Sequence, residues 1–323
     1  MSTNPIQKSK LSAIIKAVAQ ELGFSACGIA KAEPVDPAEQ QKFAQWLKSG
    51  FQGNMTYMES YSDKRMNPLL LVPGAKSIIS LAINYHQTDH QSTDSHYRIS
   101  QYAAGCDYHY VIKEKLNQMM ESLSKHNNIE NYRIFVDSAP VAERYWAQKA
   151  GLGWIGKNSC LIIPKRGSFF FLSEIILDTE LEYDKPLSKN LCGNCTKCAD
   201  ACPTGAITKS GHVDAQRCIS YLTIESKEDI PEELGKKMTR FIFGCDICQE
   251  VCPHNVQFAK PCSEPLLAPL AAVKNWSRSE WEALTSPLFR KNFVKTHSPI
   301  ARAGFNKLQR SISLVNKSNL AHN

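Results

Sequence analysis

Along the first 190 residues the apolar positions alternate between helical and extended rhythms. Helix-type spacing runs from about Lys8 to Leu22 and again from Asp36 to Ser49, where Pro37 suits a first turn and Gly50 a stop. The run AKSIISLAINY, from Ala75 to Tyr85, is short, apolar and rich in β-formers, which predicts a buried strand. A polar loop is expected from His86 to His96. The 3.6-residue period then returns in YHYVIKEKLNQMMESLSKH, and YRIFVDS predicts a strand ending at Asp137 and Ser138. The helix PVAERYWAQKA follows, with Pro140 near its first turn and Gly151 at its end. SCLIIP and SFFFLSEIILD read as two strands forming a hairpin over KRGS. Near the C-terminus, Ser277 or Ser279 is expected to cap a helix holding Trp281 and Leu284, and a last helix to span Ile300 to Val315. The pattern predicts an α+β fold of mixed helices and strands.

Composition changes sharply at Leu191, where a cysteine-rich stretch begins, and again past Cys262. Three parts are therefore expected: 1–190, 191–264 and 265–323. The excess of 38 lysines and arginines over 31 aspartates and glutamates lies wholly in the last part. There Lys274, Arg278, Arg290, Lys291, Lys295, Arg302, Lys307, Arg310 and Lys317 face only Glu280 and Glu282. A basic end of this kind suits a polyanion such as nucleic acid, or else is a solvated helix pair with no partner. The chain lacks any run of about 18 apolar residues, so no membrane span is expected. Its start, MSTNPIQKSKLSAIIKAVAQEL, is a polar lead into an amphipathic helix and not a signal peptide, so a cytoplasmic protein is expected. In that compartment twelve cysteines point to thiolate metal ligation and not to disulfides.

Eight of these cysteines form a pattern. CGNCTKCADACP places Cys192, Cys195, Cys198 and Cys202 at C-x2-C-x2-C-x3-C-P, the bacterial ferredoxin spacing. CDICQEVCP places Cys245, Cys248 and Cys252 at C-x2-C-x3-C-P, with Cys218 lying alone upstream. Short steps let three thiolates wrap one cube, while the cysteine before proline turns to the other. Two 4Fe-4S clusters follow: Cys192, Cys195, Cys198 and Cys252 on one, and Cys218, Cys245, Cys248 and Cys202 on the other. The spacing does not fit zinc fingers. Such a pair is an electron wire, so the N-terminal part is expected to hold what is reduced. Cys27, Cys106, Cys160 and Cys262 are expected to be neutral and outside this scheme.

GLGWIGKNS, Gly151 to Ser159, formally matches G-x-G-x-x-G. A dinucleotide loop must follow a strand and open a helix, whereas here a helix precedes and a strand follows. No NAD or FAD site is expected, and the glycines instead let backbone approach a flat ligand closely.

VDSAPVAERYWAQKAGLGWIGKNSCLI, CGNCTKCADACPTGAI and FGCDICQEVCPHN together resemble the epoxyqueuosine reductase family, and the resemblance runs to about residue 315. It implies a cobalamin-dependent, two-cluster enzyme related in architecture to reductive dehalogenases, with 1–190 as the cobalamin and catalytic part. It further implies reduction of an epoxide to an alkene on a modified base of tRNA, the last step of queuosine biosynthesis. The reduction would use Co(I) fed through the clusters by a low-potential donor of ferredoxin or flavodoxin type. A monomer is the expectation. Asp137 matches the family's proton donor, the alternative for it or Ser138 being a helix N-cap. Tyr57, Met58, Tyr102 and Tyr108 are expected to wall the corrin ring, and Lys157, Asn158 and Ser159 to bond its amides. Arg144 is expected to meet a propionamide or phosphate, or to pair on the surface. Ser220 and Asp246 are expected to join the cluster part to the cofactor. DYHYVI, Asp107 to Ile112, lacks the glycine of the D-x-H-x-x-G cobalamin motif, so no histidine ligand on cobalt is expected. Longer family members continue into a helical-repeat domain, which leaves the basic end to supply phosphate contacts here. The competing readings are a corrinoid reductase of small organic halides and a ferredoxin-like carrier without catalysis.

Overall fold

Every pairing in the main sheet is antiparallel. The computed structural model describes residues 5–88, 91–125, 129, 131–208, 211–238 and 240–320, with the side chains of 318–320 left aside. It opens with α1 (Pro5–Glu21), β1 (Ala26–Lys31), α2 (Pro37–Lys48), α3 (Ser62–Met66) and β2 (Ser77–Asn84). Next come β3 (Arg98–Ile99), α4 (Tyr108–Ser124), β4 (Tyr132–Phe135) and α5 (Glu143–Lys149). A small hairpin of β5 (Trp154–Ile155) and β6 (Leu161–Ile162) leads to β7 (Phe170–Leu177). The sheet order is β1-β2-β7-β4. α1 and α4 pack Ile15, Leu116 and Met119 against Ile79, Leu81 and Ile175 on one face. α5 packs Trp146 and Ala147 against Ile78, Ala82 and Ile176 on the other. A strand covered on both faces has no polar side to show, which is why β2 reads as a continuous apolar run.

Four local expectations change. β1 went unread because ACGIAK is made of small residues, and the structure gives the reason: a Cβ on Gly28 would lie 2.1 Å from the Ala150 carbonyl oxygen. The end of α5 rests on bare backbone there. α5 starts at Glu143, with Ala142 at its cap position, so neither Asp137 nor Ser138 caps it. β6 pairs with β5 and not with β7, whose partners are β2 and β4. Only an Ile163–Gly167 bridge remains of the hairpin over KRGS. The last helix is two, α14 (Ile300–Ala303) and α15 (Phe305–Leu320), broken by Gly304 at φ +82°.

The cysteine-rich stretch holds α6 (Lys197–Asp200), α7 (Ile219–Ile224), α8 (Glu232–Gly235), β8 (Phe241–Phe243), α9 (Ile247–Glu250) and α10 (Pro253–Phe258). β8 pairs in parallel with β3, so a strand of the cluster segment adds to one from the N-terminal part. α11 (Ala271–Asn275), α12 (Arg278–Glu282) and α13 (Ser286–Phe289) follow. Ser277 caps α12 through a capping box with Glu280, and the helix ends before Leu284. Tyr97, Ile99, Phe243, Trp281, Phe293, Leu308 and Val315 share one core. The C-terminal helices are therefore docked on both earlier parts. No helix among the described residues is long and apolar enough to cross a membrane.

Candidate active site

β4 hands the chain to a loop in which Asp137 takes a left-handed backbone, φ +53°, unusual for a residue with a Cβ. Its side chain stays about half exposed (51%). The Tyr108 hydroxyl donates to Asp137 Oδ2 at 2.5 Å, and His109 Nε2 lies 3.5 Å from the same oxygen. Both residues come from the first turn of α4, which Asp107 caps by accepting the His109 backbone N–H. The Asp107 carboxylate also holds His109 Nδ1 at 2.6 Å. Arg302, just before the Gly304 break, sets its guanidinium 3.2 and 3.3 Å from the two ring nitrogens. Tyr108 stacks on Phe171 at 4.1 Å, with Tyr102 at its edge 6.3 Å away.

The charges at this site follow from those contacts. Burial raises the Asp137 carboxyl. The hydrogen bonds from His109 and Tyr108, with the charges of His109 and Arg302, outweigh burial and hold it below the usual carboxylate range. Burial alone would lower His109, but its bonds to Asp107 and Asp137 lift it to about 9. The contacts thus favour a charged His109 beside a carboxylate at Asp137. Glu143, at the start of α5, accepts the Asp137 backbone N–H at 2.7 Å. Burial and the Asp137 charge push its carboxyl up to about 8. Burial, then the charges of Glu225 and Asp137, raise Tyr57, which places that exposed ring within electrostatic reach of Asp137.

The other expected residues separate into two groups. Arg144 donates to the Ser159 carbonyl, tying α5 to the glycine loop, whose Ser159 is also left-handed at φ +62°. Lys157 donates to the carbonyls of Gly193 and Cys195 at 2.8 and 2.9 Å. Asn158 is buried against Cys248, its Nδ2 3.5 Å from that carbonyl. Asp246 spends both oxygens on Ser100 and Gln101, 2.5 and 2.7 Å away, and so fastens the cluster segment to the N-terminal part. Burial raises its carboxyl to about 6. Ser220 lies in the first turn of α7, its backbone N–H turned to the Cys218 thiol. Met58 ends a short turn beside Tyr57 and is half-buried.

Cys192, Cys195, Cys198 and Cys252 line one cavity of about 180 Å³, together with Lys157 and Asn158. Trp154 Nε1 donates to Cys192 Sγ at 3.4 Å. Cys202, Cys218, Cys245 and Cys248 form a second group within electrostatic reach of one another. Thus the sulfur before each Cys-Pro step sits with the distant three and not with its neighbours in sequence. Among the described residues no three such side chains converge on a single metal ion; thiolates around a cube are spread over its corners.

Sequence reasoning missed His109, Arg302 and Glu143. The first was visible only as part of a failed cobalamin motif and the second only as one charge in a basic tail. That tail is also less free than its composition suggests. Lys307 donates to the carbonyls of Ile224 and Glu225, Arg310 to those of Leu222 and Glu228, and Arg278 pairs with Glu282.

Two family models match the chain. One, described as epoxyqueuosine reductase QueG, DUF1730, covers residues 65–138, and a 4Fe-4S double cluster binding domain covers 191–255. The epoxyqueuosine reductase of Cellulophaga algicola is 47% identical over 308 residues, 95% of this chain and 99% of the relative. A crystal structure of epoxyqueuosine reductase with an epoxyqueuosine-modified tRNA-Tyr stem loop matches at TM-score 0.83 and 30% identity, over 95% of this chain and 80% of that one. The Bacillus subtilis epoxyqueuosine reductase, with its catalytic aspartate loop swung out of the active site, matches at TM-score 0.84 and 29% identity, over 95% and 81%. A reductive dehalogenase at TM-score 0.50 and 15% identity, covering all of this chain and 38% of its own, shares the fold. The α+β fold with a two-cluster segment is borne out.

Proposed function

The chain belongs to the epoxyqueuosine reductase family, and from that membership we propose that it reduces epoxyqueuosine to queuosine in tRNA, with Asp137 delivering the proton. The observation that carries the reading is the half-exposed Asp137 carboxylate, which has Tyr108 and His109 on Oδ2 only. Among the described residues no hydrogen bond reaches Oδ1. The catalytic aspartate loop named for the Bacillus subtilis relative supports the same assignment.

The residues fit the two kinds of cofactor. Each group of four cysteines can hold one 4Fe-4S cube, Cys192, Cys195, Cys198 and Cys252 on one side and Cys202, Cys218, Cys245 and Cys248 on the other. Asp137, Tyr57, Arg144 and the Ser159 turn would hold a corrin ring, beside a His109 that already has Asp107 on Nδ1 and Asp137 near Nε2. When bound, cobalamin supplies two electrons at low potential, renewed through the clusters from a ferredoxin- or flavodoxin-type donor. The chain's own work is to place a proton. Tyr108 fixes one carboxylate oxygen, the Tyr108–Phe171 stack keeps that hydroxyl in place, and the acid acts on the departing oxygen. Lys157 ties the glycine loop to the cluster loop. Residues 1–190 thus serve as the cobalamin and catalytic part, 191–264 as the cluster carrier and 265–323 as a basic helical segment.

The substrate base must be splayed out of its loop to reach Asp137. Lys274, Arg290, Lys291, Lys295 and Lys317 are the exposed cations of the C-terminal segment left for phosphates once the internal contacts are counted. Lys291→Ala with Lys295→Ala is expected to weaken tRNA binding and to flatten the salt slope by about 2. An unchanged slope removes these residues from the interface. Point variants are the right tool, because truncation would strip Leu308 and Val315 from a core. The activity itself is tested anaerobically, with clusters reconstituted, cobalamin and reductant added, and epoxyqueuosine-containing tRNA supplied. Queuosine in the digest and cobalamin retained on gel filtration are expected. Absence of both refutes the reading.

A further inference from the structure

GLGWIGKNS, the stretch that imitates a dinucleotide loop, lies against sulfur. Its Trp154 is buried on β5 and pairs with Ile162 across the β5–β6 hairpin. The strands close that tightly because Gly153 has no side chain: a Cβ there would lie 2.1 Å from the Ile162 carbonyl oxygen. Trp154 and Ile162 pack with Cys252, Cys192 rests against them, and the His254 ring meets the indole edge-on at 4.8 Å. An indole N–H enclosed in this way needs an acceptor. Trp154 Nε1 finds it in Cys192 Sγ, 3.4 Å away and 38 positions on in the chain. From the same loop Lys157 donates to the carbonyls of Gly193 and Cys195. Both acceptors are neutral, so the ammonium keeps its charge beside the cavity it lines with Cys192, Cys195, Cys198 and Cys252. Arg144 fastens the end of the loop to α5 through the Ser159 carbonyl, so the N-terminal part holds both donors in place. The sulfur of Cys202, in the other group, is served differently. The Ala206 backbone N–H donates to it at 3.3 Å and the Thr204 hydroxyl lies 3.6 Å away, both within four residues of the ligand. Such local donors come with the cysteine loop itself; Trp154 and Lys157 do not.

Reducing a 4Fe-4S cube adds one electron and no proton, so the cube with its thiolates gains a full negative charge, part of it on the ligating sulfurs. An N–H dipole aimed at one of those sulfurs, and a cation beside the loop that carries them, favour the more negative state. Resting on the cluster assignment above, we propose that the glycine loop is a redox clamp. Trp154 and Lys157 hold the cube of Cys192, Cys195, Cys198 and Cys252 at a higher reduction potential than its own cysteine loop would give it. Both are positioning residues, acting through the thiolate ligands and their backbone. The clamp makes that cube the readier acceptor of the single electron that a ferredoxin- or flavodoxin-type donor delivers.

The test reads potentials and not turnover. Anaerobic protein with both cubes reconstituted is titrated with redox mediators and followed by electron paramagnetic resonance. Replacing Trp154 by the benzothienyl analogue of tryptophan keeps the bicyclic shape and removes the N–H alone. One of the two midpoints should move to lower potential while the other stays. Lys157→Met should lower the same midpoint, and Lys157→Arg, which can donate to both carbonyls, should restore most of it. Comparing water with deuterium oxide, electron–nuclear double resonance of the reduced protein should lose one exchangeable-proton coupling with the analogue. A role in packing alone would move neither readout, because the analogue fills the same space. A midpoint that fails to fall in either variant, or two midpoints that shift alike, overturns the clamp. Iron and sulfide counts keep the two readings apart. If Cys192→Ala loses neither cube, the cluster assignment fails; full loading with fixed midpoints refutes the clamp and leaves the assignment standing.

Discussion

Asp137→Asn is expected to lower single-turnover queuosine formation by about 10²–10⁴-fold, with tRNA binding and cobalamin retention unchanged. The substitution isolates the proton. Asparagine tolerates the left-handed backbone at φ +53° nearly as well as aspartate, so no strain is added. The amide oxygen can still accept from Tyr108, so the loop keeps its main anchor. Nor is a helix cap lost, because Ala142 and not Asp137 occupies the cap position of α5. What disappears is the carboxyl proposed to give a proton to the departing oxygen. Quenched time courses, with nucleosides separated by mass, measure the effect. A rate within a few-fold of wild type would assign proton delivery to another group, with His109 the nearest.

Cys202→Ala and Cys252→Ala are each expected to abolish turnover and to remove half of the iron and sulfide, but from different clusters. Cys202 is four residues from Cys198, yet it sits with Cys218 and Cys245, while Cys252 lines the cavity of Cys192, Cys195 and Cys198. Double variants expose the exchange. Cys202→Ala with Cys218→Ala should lose no more iron than either alone, since both strike one cube. Cys202→Ala with Cys252→Ala should lose both cubes. Iron analysis with electron paramagnetic resonance of the reduced proteins reads this directly. If Cys202→Ala combined with Cys198→Ala leaves one cluster intact, the ligands follow sequence order and the crossed assignment is wrong.

The covered strand β2, the long helices α1 and α4, and the eight spaced cysteines were legible because each is specified by a local pattern. β1 was not, since small residues that admit the end of α5 carry no apolar rhythm. The pairing of β6 with β5 depended on which strand occupied the open edge of the main sheet, and one strand's own residues do not encode that. The same division runs through the site. By itself the sequence set out the eight spaced cysteines of the double-cluster segment and placed Asp137 just past a strand, because those rest on spacing along a covalent chain. Only the tertiary structure decided which charged groups surround Asp137. Arg302 meets His109 across 193 positions, and Tyr108 reaches Asp137 across 29. A proton's affinity is set by burial and by charges a few ångströms away in space, whatever their distance along the chain.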